Sequence, residues 1–174
     1  MIITQEYLKE NTKVVDDMYK HGLFPIDAVR YEHFVNFCKG AKTILSVGCG
    51  GREPIAINAT HACDIVKNSE EYLKRDGWNG EFKIASCTDL PYPDKSMDVV
   101  VCSEVIEHIP LLVDVEKTFQ EVNRVGKRWI MTTPHPPIWF PTHKRIFTCE
   151  QLKELTKDYD VDIFEKDIFF FIQT

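Results

Sequence analysis

Apolar positions along this chain follow two different spacings. Between residues 4 and 19 they recur at Tyr7, Leu8, Val14, Val15 and Met18, the stripe of an amphipathic helix. A second helix is predicted over 26–38, presenting Ala28, Val29, Phe34, Val35 and Phe37; Pro25 suits its first turn and Gly40 ends it. The pattern then changes. Ile44, Leu45 and Val47 form a short, partly β-branched run that stops at Gly48, the mark of a strand buried on both faces. Further strands are predicted over 60–65, 82–85, 97–102 and 128–133, with a closing pair at 161–164 and 168–172 joined near Lys166 and Asp167. Helices separate the strands: about two turns after Gly51, then 67–75 with Asn68 or Ser69 as N-cap, 113–125 with Val115, Phe119 and Val122 on one face, and 149–157. Thr148 caps the last of these, with Gln151 three residues on as partner in a capping box.

Strand alternating with helix predicts an α/β fold with a largely parallel sheet, to which the last hairpin adds an antiparallel strand. The chain reads as a single domain over 1–174, with helices in 1–40 and the α/β core in 41–174. No apolar run is long enough for a membrane span, and the first residues, Met-Ile-Ile-Thr-Gln-Glu-Tyr, lack the basic start and apolar core of a secretory signal, so a cytoplasmic location without membrane attachment is expected. A net charge of −6 argues against a broad nucleic-acid footprint. No two of Cys38, Cys49, Cys63, Cys87, Cys102 and Cys149 have Cys-x-x-Cys spacing, so they are expected as buried thiols rather than disulfides or a zinc site.

If the first four strands are parallel neighbours, their carboxyl ends bring the candidate chemistry to one crevice. The glycine turn Gly48-Cys49-Gly50-Gly51 ends the first strand and lets backbone approach a ligand closely. Asp64, followed by Ile65, ends the second and can hold a ribose diol through both carboxylate oxygens. Ser86-Cys87-Thr88 ends the third, where backbone groups can pair with an adenine edge, and Ser103-Glu104 ends the fourth. The set points to an adenosine-containing ligand.

The stretch Asp89-Leu-Pro-Tyr-Pro-Asp-Lys-Ser-Met-Asp98, followed by Val-Val-Val-Cys-Ser-Glu-Val-Ile-Glu-His-Ile-Pro110, resembles the class I S-adenosylmethionine-dependent methyltransferases, and the likeness extends from Ile44 to about Leu155. It implies a Rossmann-like three-layer sandwich with a seven-stranded, mostly parallel sheet ending in an antiparallel β-hairpin, here preceded by two N-terminal helices. It implies S-adenosylmethionine as cofactor, S-adenosylhomocysteine as product and a small-molecule methyl acceptor. Ser46, Gly48, Cys49 and Gly50 would line the methionine and ribose portion. Asp64 and Ile65 would hold the ribose, Ser86, Cys87 and Thr88 the adenine, and Ser103 the methionine end.

Three departures stand out. The acid usual two residues before the first glycine is Ser46, the acid usual after the third strand is Ser86, and the short interval from Gly48 to Asp64 trims the first core helix. Together they leave open a non-catalytic member that keeps the fold and works through a protein partner.

For the reaction, Glu104, Glu107 and His108 are expected on one helical turn, with His143 arriving from a later loop. Glu-x-x-Glu-His with a distant His also resembles the metal-binding set of small-RNA 2′-O-methyltransferases and ubiquinone-pathway O-methyltransferases. His108 as general base and a divalent metal are the two readings, and no metal ligand is assigned. In the loop 134–143, His135, Trp139 and Phe140 suggest either an aromatic acceptor pocket or a hydrophobic clasp.

Overall fold

The computed structural model describes residues 3–21, 28–50, 52–135 and 142–174. One sheet holds β1 (Ile44–Val47), β2 (His61–Asp64), β3 (Glu81–Ile84), β4 (Met97–Ser103), β5 (Gly126–Pro134), β6 (Asp162–Lys166) and β7 (Phe169–Gln173), in the order β3-β2-β1-β4-β5-β7-β6. The first five strands pair in parallel, and β7 runs antiparallel to both β5 and β6. This is the mostly parallel seven-stranded sheet with a terminal hairpin that the sequence predicts. The chain leaves β1 toward β2 and β3 on one side and returns to β4 and β5 on the other, so β1 and β4 flank the switch point where open α/β sheets bind ligands.

The helices are α1 (Gln5–His21), α2 (Ala28–Phe37), α3 (Glu53–Ala56), α4 (Asn68–Arg75), α5 (Leu112–Val125) and α6 (Cys149–Leu155), with a 3-10 turn at Ile106–His108. β4 alternates between two cores because its unbroken apolar run is buried on both faces. Val99 and Val101 pack with Phe34 of α2, Ile44, Ile130 and Phe171, whereas Val100 and Cys102 pack with Val115, Phe119 and Val122 of α5, Trp129 and Leu152 of α6. Leu73 of α4 covers Ala62 of β2 beside Trp78. The result is helix, sheet, helix: a Rossmann-like three-layer sandwich.

Two local expectations change. The helix after the glycine turn has four residues rather than two turns, because Asn58 turns to φ +53 and Thr60 is already bonded to β1, its N–H donating to the Ile44 carbonyl at 3.0 Å. α4 has no side-chain cap: Asn68 is its first residue, and the Asn68 amide instead donates to Asp16 of α1 at 3.2 Å. The Thr148–Gln151 capping box is present, with bonds of 3.3 and 2.9 Å. All six cysteines are free thiols, and all but Cys149 are buried. Among the described residues, no helix is long and apolar enough to cross a membrane.

Candidate active site

β3, β2, β1 and β4 are parallel neighbours, so the strand ends named above lie side by side along one edge of the sheet. Gly48 takes φ +68, and a Cβ there would stand 2.4 Å from Cγ2 of Val105, so only glycine passes without displacing the segment after β4. The turn is pinned to β2 by the Gly48 N–H, which donates to the Cys63 carbonyl at 2.9 Å. A Cβ on Gly50 would lie 3.7 Å from Oδ2 of Asp64 and 2.9 Å from Cγ2 of Val15, so the turn passes close to the carboxylate. Gly51 lies outside the described residues. Asp64 is buried and accepts the Val66 N–H at 2.8 Å, with the Ile65 N–H also directed at it; burial outweighs these bonds and raises its carboxyl to about 6.

After β3, the Ser86 and Thr88 hydroxyls are bonded at 2.8 Å, and Ser86 Oγ accepts the Thr88 N–H at 3.2 Å. Ser86 therefore shapes this turn instead of presenting a charge. Cys87 is buried, its sulfur receiving the Thr118 hydroxyl at 3.4 Å. Ser103 is tied sideways to Thr132 of β5 at 2.9 Å.

The carboxylates and imidazoles after β4 assemble differently from the sequence expectation. Glu104 is not on a helical turn: it sits at φ +55, between β4 and the 3-10 turn, and its carboxylate lies 3.5 Å from the Arg30 guanidinium of α2. Glu107, His108 and His143 do converge, each offering one ligand atom within 4.8 Å of the others. The backbone makes this meeting. The Glu107 carbonyl accepts the Lys144 N–H at 2.8 Å and the Arg145 N–H at 3.3 Å, while Nδ1 of His108 lies 3.2 Å from the Thr142 carbonyl. The two imidazoles meet edge to face, with centroids 4.9 Å apart.

Burial and the nearby Glu104 push the Glu107 carboxyl well above its ordinary range, and its Oε2 receives the Thr133 hydroxyl at 3.3 Å. Burial and then His143 lower His108 to about 4, and burial lowers His143. Both rings are neutral at pH 7 and able to accept hydrogen bonds or bind a cation. A base lowered to about 4 has little pull on a proton at neutral pH.

Several participants carry no sequence signal of their own. Val15 of α1 packs against the turn, its Cγ2 lying 2.9 Å from where a Gly50 Cβ would stand, and the Tyr7 hydroxyl donates to the His108 carbonyl at 3.3 Å. Burial raises the Tyr7 phenol, and Cys87 and Asp64 push it in the same direction, so the ring lies among the ends of β2, β3 and β4. α1 thus lies over these strand ends. His135 is turned away from the site: its Nε2 lies 3.2 Å from Glu165 and its ring packs on Phe170 of the closing hairpin. Trp139 and Phe140 lie outside the described residues.

The strand order, the glycine turn and a carboxylate ending β2 define a class I methyltransferase domain. Residues 45–128 match the family model "Methyltransferase domain". The chain is 28% identical to sterol 24-C-methyltransferase ERG6B of Gibberella zeae, over 59% of this chain and 32% of that protein. It is 33% identical to 27-O-demethylrifamycin SV methyltransferase of Amycolatopsis mediterranei, over 49% of this chain and 36% of that one. It thus spans about a third of the length of these curated relatives. A Thermotoga maritima methyltransferase structure, described as a possible histamine N-methyltransferase, superposes with a TM-score of 0.72 at 13% identity and covers 98% of both chains. Residues 45–128 thus carry a methyltransferase domain, and the fold is that of the S-adenosylmethionine-dependent methyltransferases, a family whose cofactor is S-adenosylmethionine and whose product is S-adenosylhomocysteine.

The residues present fit the ribose of that cofactor: Asp64 offers a buried carboxylate beside a turn whose Gly48 and Gly50 bear no side chains of their own, with Val105 and Val15 packed against them.

Proposed function

We propose that this protein is a methyltransferase that alkylates an oxygen or nitrogen atom of a small molecule. The observation that carries the reading is the convergence of Glu107, His108 and His143 within 4.8 Å, at the end of β4 beside the glycine turn. S-Adenosylmethionine, when bound, supplies an electrophilic methyl group on a sulfonium. Asp64 holds the ribose hydroxyls, and the Gly48 to Gly50 turn presents its backbone to the methionine chain. A hydroxyl or ammonium acceptor must lose a proton as its oxygen or nitrogen bonds to carbon. The ionised form of Glu107 receives that proton, while the neutral rings of His108 and His143 orient the acceptor. α1 excludes water from the crevice. A net charge of −6 disfavours RNA as the acceptor.

Calorimetric titration with S-adenosylmethionine, followed by methyl transfer from labelled cofactor to a panel of small phenols, alcohols and amines, tests this directly. Micromolar binding and labelling of at least one acceptor are expected. Glu107→Gln should lower turnover by about 100-fold or more with cofactor affinity retained. Absence of cofactor binding at high micromolar concentration would leave the non-catalytic, partner-binding reading in its place.

A metal-assisted version is favoured by the same convergence, since one carboxylate and two neutral imidazoles suit a divalent ion. Only three of the four expected residues take part, Glu104 being turned to Arg30. Loss of transfer in EDTA, with recovery on adding Mg²⁺, Mn²⁺ or Zn²⁺, selects this version; indifference to EDTA rejects it.

A further inference from the structure

Between β3 and β4 the chain covers 85–96 without a strand or helix, its regular pairing limited to a bridge between Ser86 and Asp89. One end of this segment is fixed to the sheet. The Ala85 N–H donates to the Asp64 carbonyl at 3.0 Å, so Ser86, Cys87 and Thr88 follow directly beside the end of β2. The Asp89 N–H then donates to the Ser86 carbonyl at 3.0 Å and closes a turn. The far end of that turn is held by α5. Thr118, Glu121 and Arg124 recur every three residues along one row of the helix, beside the buried Val115, Phe119 and Val122. The Thr118 hydroxyl reaches the Cys87 sulfur at 3.4 Å, and Glu121 Oε2 accepts the Leu90 N–H at 2.7 Å. Arg124 donates to the carbonyls of Leu90 at 3.0 Å and Tyr92 at 2.8 Å. Arg124 and Glu121 are joined by two bonds of 2.7 Å, Nε to Oε1 and Nη2 to Oε2, so the N–H and the C=O of Leu90 are both held by one planar fork. The Leu90 and Tyr92 side chains are already anchored by burial, and a fork whose Arg124 is 32% exposed contributes little to stability. Burial has no direction, whereas hydrogen bonds set the plane of a peptide. The fork therefore decides how the turn is oriented rather than whether it is packed.

We propose that Glu121 and Arg124 are positioning residues that hold the backbone at 86–88 in the orientation that pairs with the edge of an adenine. The assignment rests on the cofactor reading above, in which the base extends from a ribose on Asp64 to the neighbouring end of β3. Both residues act through the turn and not on the ligand. Adenine and hypoxanthine share a shape but present opposite edges: an amine donor and a ring-nitrogen acceptor in one, a carbonyl acceptor and a ring N–H donor in the other. Backbone groups held in one orientation distinguish the two, and a turn released from the fork accepts either.

The test is calorimetric titration of S-adenosylhomocysteine and of S-inosylhomocysteine, its hypoxanthine counterpart, into wild type, R124M, E121Q and K127M. Wild type should prefer adenine by at least about tenfold. R124M should weaken the adenine ligand by about tenfold and change the hypoxanthine ligand by about threefold or less, removing most of the preference. E121Q keeps an acceptor for the Leu90 N–H but not the charged fork, and should fall between wild type and R124M. K127M removes the ion pair of Lys127 with Asp98, which does not touch this segment, and should keep the wild-type preference whatever its effect on the melting temperature. Equal weakening of both ligands by R124M, no weakening of either, or a K127M that loses the preference as R124M does would each overturn the assignment. If R124M melts below the titration temperature, E121Q decides: a reduced preference supports the role of the fork, and the wild-type preference overturns it. Wild type that binds neither ligand removes the cofactor reading and this assignment with it, whereas wild type that binds both equally overturns the assignment alone.

Discussion

Asp64 shows how a residue's surroundings set the conditions for its work. In the ligand-free protein burial raises its carboxyl to about 6, while the chain's own donors, the Ile65 and Val66 N–H groups, pull the other way without prevailing. Two ribose hydroxyls would add donors to the ionised form only, so cofactor binding lowers this carboxyl and expels a proton near pH 6. Affinity is therefore expected to rise between pH 5 and 7 and level off above, measured by titration across that range; a flat profile would remove Asp64 from the diol. For stability the sign is opposite. The raised folded-state value means that the fold loses stability as pH climbs through the interval from 3.8 to about 6, and cofactor restores it above. Asp64 was legible in the sequence because an acid at the end of an apolar run is conspicuous. The burial of Glu53, whose carboxylate accepts the Ser46 hydroxyl at 2.7 Å, was not, since nothing in Gly-Arg-Glu-Pro distinguishes a buried carboxylate from a solvated one. The reach of Glu104 was misread for a related reason: helical spacing groups it with Glu107, but its φ of +55 takes it out of the turn.

Among the elements, α1 is the one that most changes the reading of the site. Its apolar stripe predicted a helix, and the helix is there, but its polar face decides where it docks. Asp16 accepts from the Tyr72 hydroxyl at 2.7 Å and the Asn68 amide at 3.2 Å on α4, and Glu10 meets Lys144 at 2.9 Å beyond the crevice. These anchors are part-exposed and individually weak, which suits a cover that has to lift for ligand exchange. Asp16→Ala removes two of them, so cofactor release should quicken by about fivefold, roughly 1 kcal/mol, in stopped-flow displacement with the melting temperature little changed. An unchanged release rate would show that α1 does not gate the crevice. Elsewhere basic side chains serve structure: Lys127 meets Asp98 at 2.8 Å, and Arg145 donates to the carbonyls of Ile109 and Pro110.

At the scale of the whole molecule, the six thiols report on how completely the layers close. Five are buried, and burial pushes the thiol of Cys38 to about 12 and that of Cys49 well above its usual range, so thiolate is scarce among them. Only Cys149, at the start of α6, is partly exposed. Ellman's reagent should therefore consume about one thiol in native protein and all six in denaturant, the buried ones reacting no faster than the fold opens. Rapid native reaction of three or more would contradict the packed layers described here.

Periodicity, glycine placement and turn chemistry are local properties, and they determined the element order, the parallel sheet, the closing hairpin and the strand-end positions of Gly48, Asp64, Cys87 and Ser103. Local chemistry also sufficed for the capping box at Thr148, because both partners lie within one helical turn. Only the tertiary structure decided which distant groups meet: His143 with Glu107 and His108 through a backbone clasp, Arg30 with Glu104, Tyr7 over the strand ends, and Glu53 beneath Ser46. Each of these pairings spans a loop or a layer, and its cost or benefit comes from burial, a quantity that has no value until the sheet and its helices have closed around it.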